Sequence, residues 1–94
     1  MNIALIGLGS MGYNLAKNMV SKNYQVNAFE KNMLIVENIK NDNIQNLYLL
    51  NSIQDLVDKT PSPRIIMLSL PADKIDECIN DLIDHLNPTD TIAD

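Results

Sequence analysis

The opening dozen residues constrain this 94-residue chain more than any other stretch. An apolar run, Ile3-Ala4-Leu5-Ile6, leads directly into Gly7-Leu8-Gly9-Ser10-Met11-Gly12. Consecutive apolar side chains that stop at a glycine read as a strand buried on both faces. Leu15, Ala16, Met19 and Val20 then recur at helical spacing, which predicts a helix over roughly 11 to 22. A G-x-G-x-x-G turn between such a strand and helix gives each glycine a physical task. Gly7 permits the tight turn out of the strand. Gly9 leaves the backbone bare, so that a pyrophosphate can come close. Gly12 lets the helix pack against the strand. The helix N-terminus adds free N–H groups and a positive dipole end, both suited to phosphate.

The rest of the chain repeats the strand–helix alternation. Gln25-Val26-Asn27-Ala28-Phe29 reads as a second strand, and Ile35, Val36 and Ile39 mark a second helix. Leu47-Tyr48-Leu49-Leu50 is a short third strand. Ser52, with Asp55 three residues on, resembles a helix start before Leu56 and Val57. Pro61-Ser62-Pro63 breaks the chain before the strongest strand signal, Ile65-Ile66-Met67-Leu68-Ser69-Leu70. Ile75, Ile79, Leu82, Ile83 and Leu86 form an amphipathic helix that Asn87-Pro88 ends, and Thr91-Ile92-Ala93 begins a fifth strand. The order βαβαβαβαβ predicts an α/β fold, a doubly wound parallel sheet with helices on both faces. Residues 1–94 read as one domain, expected to be a fragment of a larger chain.

Composition narrows the function. With 46% hydrophobic residues and 20% charged ones, the chain can build a core and reads as globular. A formal net charge of -5, without basic runs, argues against nucleic-acid binding. No apolar stretch suggests a membrane span or signal peptide, and the single cysteine, Cys78, fits a cytoplasmic setting. Neither a metal-ligand cluster nor a catalytic triad can be argued. Cys78 falls near the apolar face of the last helix and reads as core. His85, near that helix's end, reads as facing the dipole or solvent. Asp76, Glu77, Asp81 and Asp84 are too scattered for a metal.

Two further segments belong with the glycine turn. Glu30 lies 18 positions after Gly12, where an acid can accept hydrogen bonds from the adenosine ribose hydroxyls. A carboxylate there repels the 2′-phosphate of NADP, and Lys31 beside it offsets part of that repulsion. NAD is therefore favoured over NADP. Ligands of open α/β sheets bind outside the carboxyl ends of strands, which brings in Leu70-Pro71-Ala72, with Asp73 expected as the helix cap.

The stretch from Ile3 to Met19 resembles the start of the β-hydroxyacid dehydrogenase superfamily. Within it, Met11-Gly12 followed by Asn14-Leu15 and Asn18-Met19 resembles the 6-phosphogluconate dehydrogenase family. Pro63-Arg64-Ile65-Ile66-Met67-Leu68 resembles that family's Pro-Arg entry into its fourth strand. Leu86-Asn87-Pro88-Thr89-Asp90-Thr91-Ile92-Ala93-Asp94 resembles the stretch before its Gly-Gly-Asn segment. The resemblance implies a Rossmann-type nucleotide-binding domain of a decarboxylating oxidoreductase. The implied reaction converts 6-phosphogluconate to ribulose 5-phosphate, in the pentose phosphate pathway, with reduction of NAD or NADP. It implies cofactor contacts at Gly7, Leu8, Gly9, Ser10, Met11 and Gly12, at Glu30, Lys31 and Asn32, and at Leu70, Pro71 and Ala72. It also implies a homodimeric full-length protein whose catalytic lysine and glutamate lie beyond Asp94. NADP-using members typically have Asn-Arg-Ser/Thr where this chain has Glu30-Lys31-Asn32, and often a lysine where Pro71 stands. Alternatives are a 3-hydroxyisobutyrate-type dehydrogenase with the same nucleotide domain, and a non-catalytic nucleotide-sensing domain.

Overall fold

The computed structural model describes residues 2–93. Its elements run β1 (Asn2–Ile6), α1 (Ser10–Ser21), β2 (Val26–Phe29), α2 (Met33–Asp42), β3 (Leu47–Leu49), α3 (Ile53–Lys59), β4 (Arg64–Leu68), α4 (Ala72–Leu82) and β5 (Thr91–Ala93). All strand pairings are parallel, and the sheet order is β3-β2-β1-β4-β5. The chain winds outward from β1 to β3, then crosses back through α3 to place β4 on the other side of β1. This reversal puts the switch point of the topology at the carboxyl ends of β1 and β4, directly beneath the glycine turn.

The alternation within β1 explains why both faces need helices. Ile3 and Leu5 pack on one face with Leu8, Ala16 and Met19 of the glycine turn and α1, and with Ile39 of α2. Ala4 and Ile6 point the other way, against Leu56 and Val57 of α3 and Cys78 and Leu82 of α4. A central strand of five residues thus nucleates two cores, and its near-continuous apolar sequence follows from burial on both sides.

The helices end where their sequences stop supporting them. Asn43, at φ 51, closes α2 in the left-handed conformation that asparagine tolerates better than other side chains. Ser52 caps α3 by accepting from the Asp55 N–H at 3.0 Å, as its spacing predicts. Several boundaries shift by a residue or so, and three of the differences have a structural reason or consequence. β4 stops at Leu68 rather than Leu70 because its neighbour β1 turns away at Gly7; only the Ser69 N–H, bonded to the Ile6 carbonyl at 2.8 Å, extends the pairing. Pro71, not Asp73, occupies the cap position of α4, and Asp73 lies in the first turn. The last helix gives way after Leu82 to a single 3-10 turn, Ile83–His85.

The amino end of β4 is fastened by a buried polar cluster. The Arg64 Nε lies 2.9 Å from the Asp90 carboxylate, and the two side chains are 7% and 1% exposed. Arg64 Nη1 also donates to the Val57 carbonyl at 2.6 Å, while the Ser62 hydroxyl and Asn87 N–H donate to Asp90 at 2.6 and 2.8 Å. Burial alone would raise the Asp90 pKa, but the Asn87 N–H, the Ser62 hydroxyl and the Arg64 guanidinium outweigh it and hold it at about 2. The Pro63-Arg64 pair singled out in the sequence is therefore a fastening point between α3, β4 and the segment before β5.

Candidate functional site: the crevice above the glycine turn

The three glycines are held to different requirements. Gly7 sits at φ +100, and a Cβ there would collide with the Ser69 carbonyl of the neighbouring chain segment. A Cβ on Gly12 would collide with the Gly7 carbonyl, so α1 approaches the turn as closely as backbone allows. Both positions are explained by the protein's own packing. Gly9 is not: a Cβ there meets nothing within 4 Å. Gly9 borders a cleft of ≈ 550 Å³ that it bounds together with Ser10, Met11, Leu68, Ser69, Leu70, Pro71 and Ile75.

The helix N-termini around this cleft are bare. α1 begins at Gly9 with no side-chain cap, and among the described residues no acceptor meets the N–H groups of Ser10, Met11 or Gly12. α4 begins at Pro71, again without a side-chain cap. In contrast, α2 and α3 are capped by their own Asn32 and Ser52. The helices flanking the switch point are thus the ones that leave donors and dipole ends free.

On the β2 side, the Glu30 carboxylate bridges two loops. One oxygen accepts from the Leu8 N–H at 2.7 Å and the other from the Asn32 N–H at 2.8 Å. Lys31 is exposed and lines a second cavity of ≈ 190 Å³, with Ile6, Ile53, Leu70 and the α4 residues Lys74, Glu77, Cys78 and Asp81. Leu70 borders both cavities, so they adjoin. Burial, with the carboxylates of Asp81 and Glu77, pushes the Cys78 thiol up, so it serves as an unreactive wall.

The residues singled out in the sequence therefore take distinct positions. Gly9, Ser10, Met11, Leu70 and Pro71 line the main cleft, and Gly7 and Gly12 shape it from below. Leu8 offers only backbone, since its side chain is 1% exposed in the core. The Asn32 side chain is committed to the Leu34 N–H at 3.0 Å. Ala72 is exposed at the start of α4 but does not border the cleft. Sequence reasoning weighed Glu77 and Asp81 only as metal ligands and Cys78 only as core, passed over Lys74, and so did not bring the α4 stripe Lys74, Glu77, Cys78 and Asp81 to a cavity. Their spacing of three, four and seven places them on one helix face, a signal that becomes usable only when the facing cavity is known. His85, Asp76 and Asp84 do not border either cavity.

A bare glycine turn and an uncapped helix at the switch point of a doubly wound parallel sheet define a nucleotide-binding domain of the Rossmann type. The profile of the NAD binding domain of 6-phosphogluconate dehydrogenase matches residues 2–94, and the chain belongs to that family. It is 35% identical over 94 residues to the decarboxylating 6-phosphogluconate dehydrogenase of Buchnera aphidicola from Acyrthosiphon pisum, covering 98% of this chain and 20% of that protein. It is 38% identical over 96 residues to the Candida albicans enzyme, covering 99% and 19%. The chain thus spans about a fifth of the length of these relatives. Plasmodium falciparum 6-phosphogluconate dehydrogenase, solved apo, with its cofactor NADP+ and with its substrate 6-phosphogluconate, superimposes with a TM-score of 0.85 at 25% identity, covering 98% of this chain and 21% of that one. Synechocystis arogenate dehydrogenase shares the fold, with a TM-score of 0.79 at 23% identity, over 98% of this chain and 31% of its own. The fold and family are those the sequence implied.

Proposed function

We propose that this chain binds the dinucleotide across the glycine turn, with the pyrophosphate above Gly9. The observation that carries the reading is the one glycine that nothing in the protein requires. Space left open at Gly9, beside three N–H groups at the start of α1 that no described residue accepts from, suits a diphosphate. Ser10, Met11 and Gly12 donate to the phosphate oxygens. Glu30 takes the adenosine ribose hydroxyls, with Lys31 and Asn32 at the same turn. Leu70 and Pro71 flank the path toward the nicotinamide, with Ala72 outside the cleft at the start of α4.

We further propose that NAD is preferred to NADP. A phosphate charge about 4 Å from the Glu30 carboxylate would be repelled by about 4 kcal/mol at an effective dielectric of about 20. Exposed Lys31 returns only part of that, because solvent screens it. The full-length protein would then oxidise and decarboxylate 6-phosphogluconate to ribulose 5-phosphate. A bound cofactor would supply the hydride acceptor, and this domain's residues would hold and orient it. The test is a titration of NAD and NADP against the 94-residue chain by amide shift changes. The expected result is binding of NAD ahead of NADP, with shifts centred on Ser10, Met11 and Gly12. Absence of binding by either at millimolar concentration removes the cofactor reading; equal or tighter NADP binding removes the preference.

A further inference from the structure

We propose that Glu30 is a positioning residue for the glycine turn, clipping it to the β2–α2 turn before any cofactor arrives, so that cofactor preference and loop geometry depend on one side chain. The proposal rests on the cofactor reading above and adds to it a role that a ribose ligand alone would not have. Both Glu30 oxygens are engaged, one by the Leu8 N–H at 2.7 Å and the other by the Asn32 N–H at 2.8 Å. Bonds from N–H to a carboxylate at these lengths are charge-assisted and stronger than neutral ones.

The clip connects two otherwise separate anchors. Leu8 is fixed from the other side by its core-buried side chain, and Gly7 next to it donates to the Phe29 carbonyl at 2.9 Å. Adjacent donors of the turn are therefore both tied to the end of β2. Asn32 in turn caps α2, so the same carboxylate also sets the entry of that helix. Each Glu30 oxygen keeps a second lone pair, sufficient for a ribose diol. What it cannot do is swing away from an incoming 2′-phosphate without releasing both amides. Removing the charge alone therefore does not create an NADP site. It also unties the turn on which Ser10, Met11 and Gly12 are carried.

The experiment uses the 94-residue chain and its Glu30→Ala and Glu30→Gln variants. Amide hydrogen exchange is measured without ligand, and NAD and NADP affinities are measured afterwards. Glu30→Ala removes both acceptors, and exchange at Leu8 and Asn32 is expected to accelerate at least tenfold while Leu5 and Ala28 in the sheet are unchanged. Glu30→Gln keeps one acceptor, so only one of the two amides accelerates. NAD binding weakens at least tenfold in Glu30→Gln, and the gain in NADP affinity falls well short of the roughly thousandfold that relief of the charge repulsion alone would give. Unchanged exchange at Leu8 in Glu30→Ala, or an NADP gain in Glu30→Gln that reaches the full, roughly thousandfold increase expected from lost repulsion alone, overturns the clip. Failure of the unaltered chain to bind NAD would instead remove the cofactor reading and leave the exchange result standing.

Discussion

Replacing Asp90 by Asn tests the account of how this small sheet is held together. The side chain keeps its shape but loses its charge and half of its accepting capacity. Arg64, 7% exposed, is left facing an amide. Removing one partner of a buried ion pair typically costs 3–5 kcal/mol, roughly, because the other charge remains buried. Against a total stability of about 5–14 kcal/mol for a chain of this size, that is a large fraction. It corresponds to a fall in Tm of about 15 °C or more. The pH dependence is a second, independent signature. The Asp90 pKa is lowered from 3.8 to about 2 in the folded protein. Its contribution is therefore complete above about pH 4 and is lost as pH falls through about 2. That contribution is on the order of 2 kcal/mol at most. Urea unfolding followed by circular dichroism at pH 7, 4 and 2.5 should show a gap between the native chain and Asp90→Asn that narrows at the lowest pH. The double variant Arg64→Met/Asp90→Leu should recover much of the loss, since an apolar pair leaves no stranded charge. A cost below 1 kcal/mol at pH 7, or a gap independent of pH, would refute the argument.

Other consequences follow from single contacts. Gly12→Ala drives a Cβ into the Gly7 carbonyl; it should cost about 3 kcal/mol in urea unfolding and abolish cofactor-dependent shifts at Ser10 and Met11. Leu82→Ala, at a fully buried position on α4, should cost about 2–5 kcal/mol by the same assay without altering NAD affinity more than twofold. The Tyr13 hydroxyl donates to Asp42 across α1 and α2, and burial first, then Asp42, pushes its pKa up to about 12. Ultraviolet titration should show one tyrosine ionising near pH 12, and Asp42→Asn should bring that transition down.

The elements were legible in the sequence because each carries its own pattern. Ile3 to Ile6 need no partner to read as a doubly buried strand, and Ser52 with Asp55 announces a helix within four residues. What sequence could not place was set by neighbours. Where β4 stops depends on where β1 turns, not on the apolar character of Leu70. The same division holds for the site. The glycine turn is contiguous, and the acid at Glu30 follows at a fixed interval, so both could be read directly. The Glu30 bond to Leu8 spans 22 residues, and the Arg64–Asp90 pair 26, and neither has a local signature. Lys74, Glu77 and Asp81 are ordinary surface residues by pattern; only the packing of α4 over Ile6 brings them to a cavity.

The Arg64–Asp90 cluster and the glycine turn lie at opposite ends of β4, separated by a strand of five residues, or about 17 Å. Substitutions at that separation, with no partners in common, add rather than interfere. A change at the crevice therefore carries its own cost in full, and the fastening at the far end of β4 contributes the same stability before and after it.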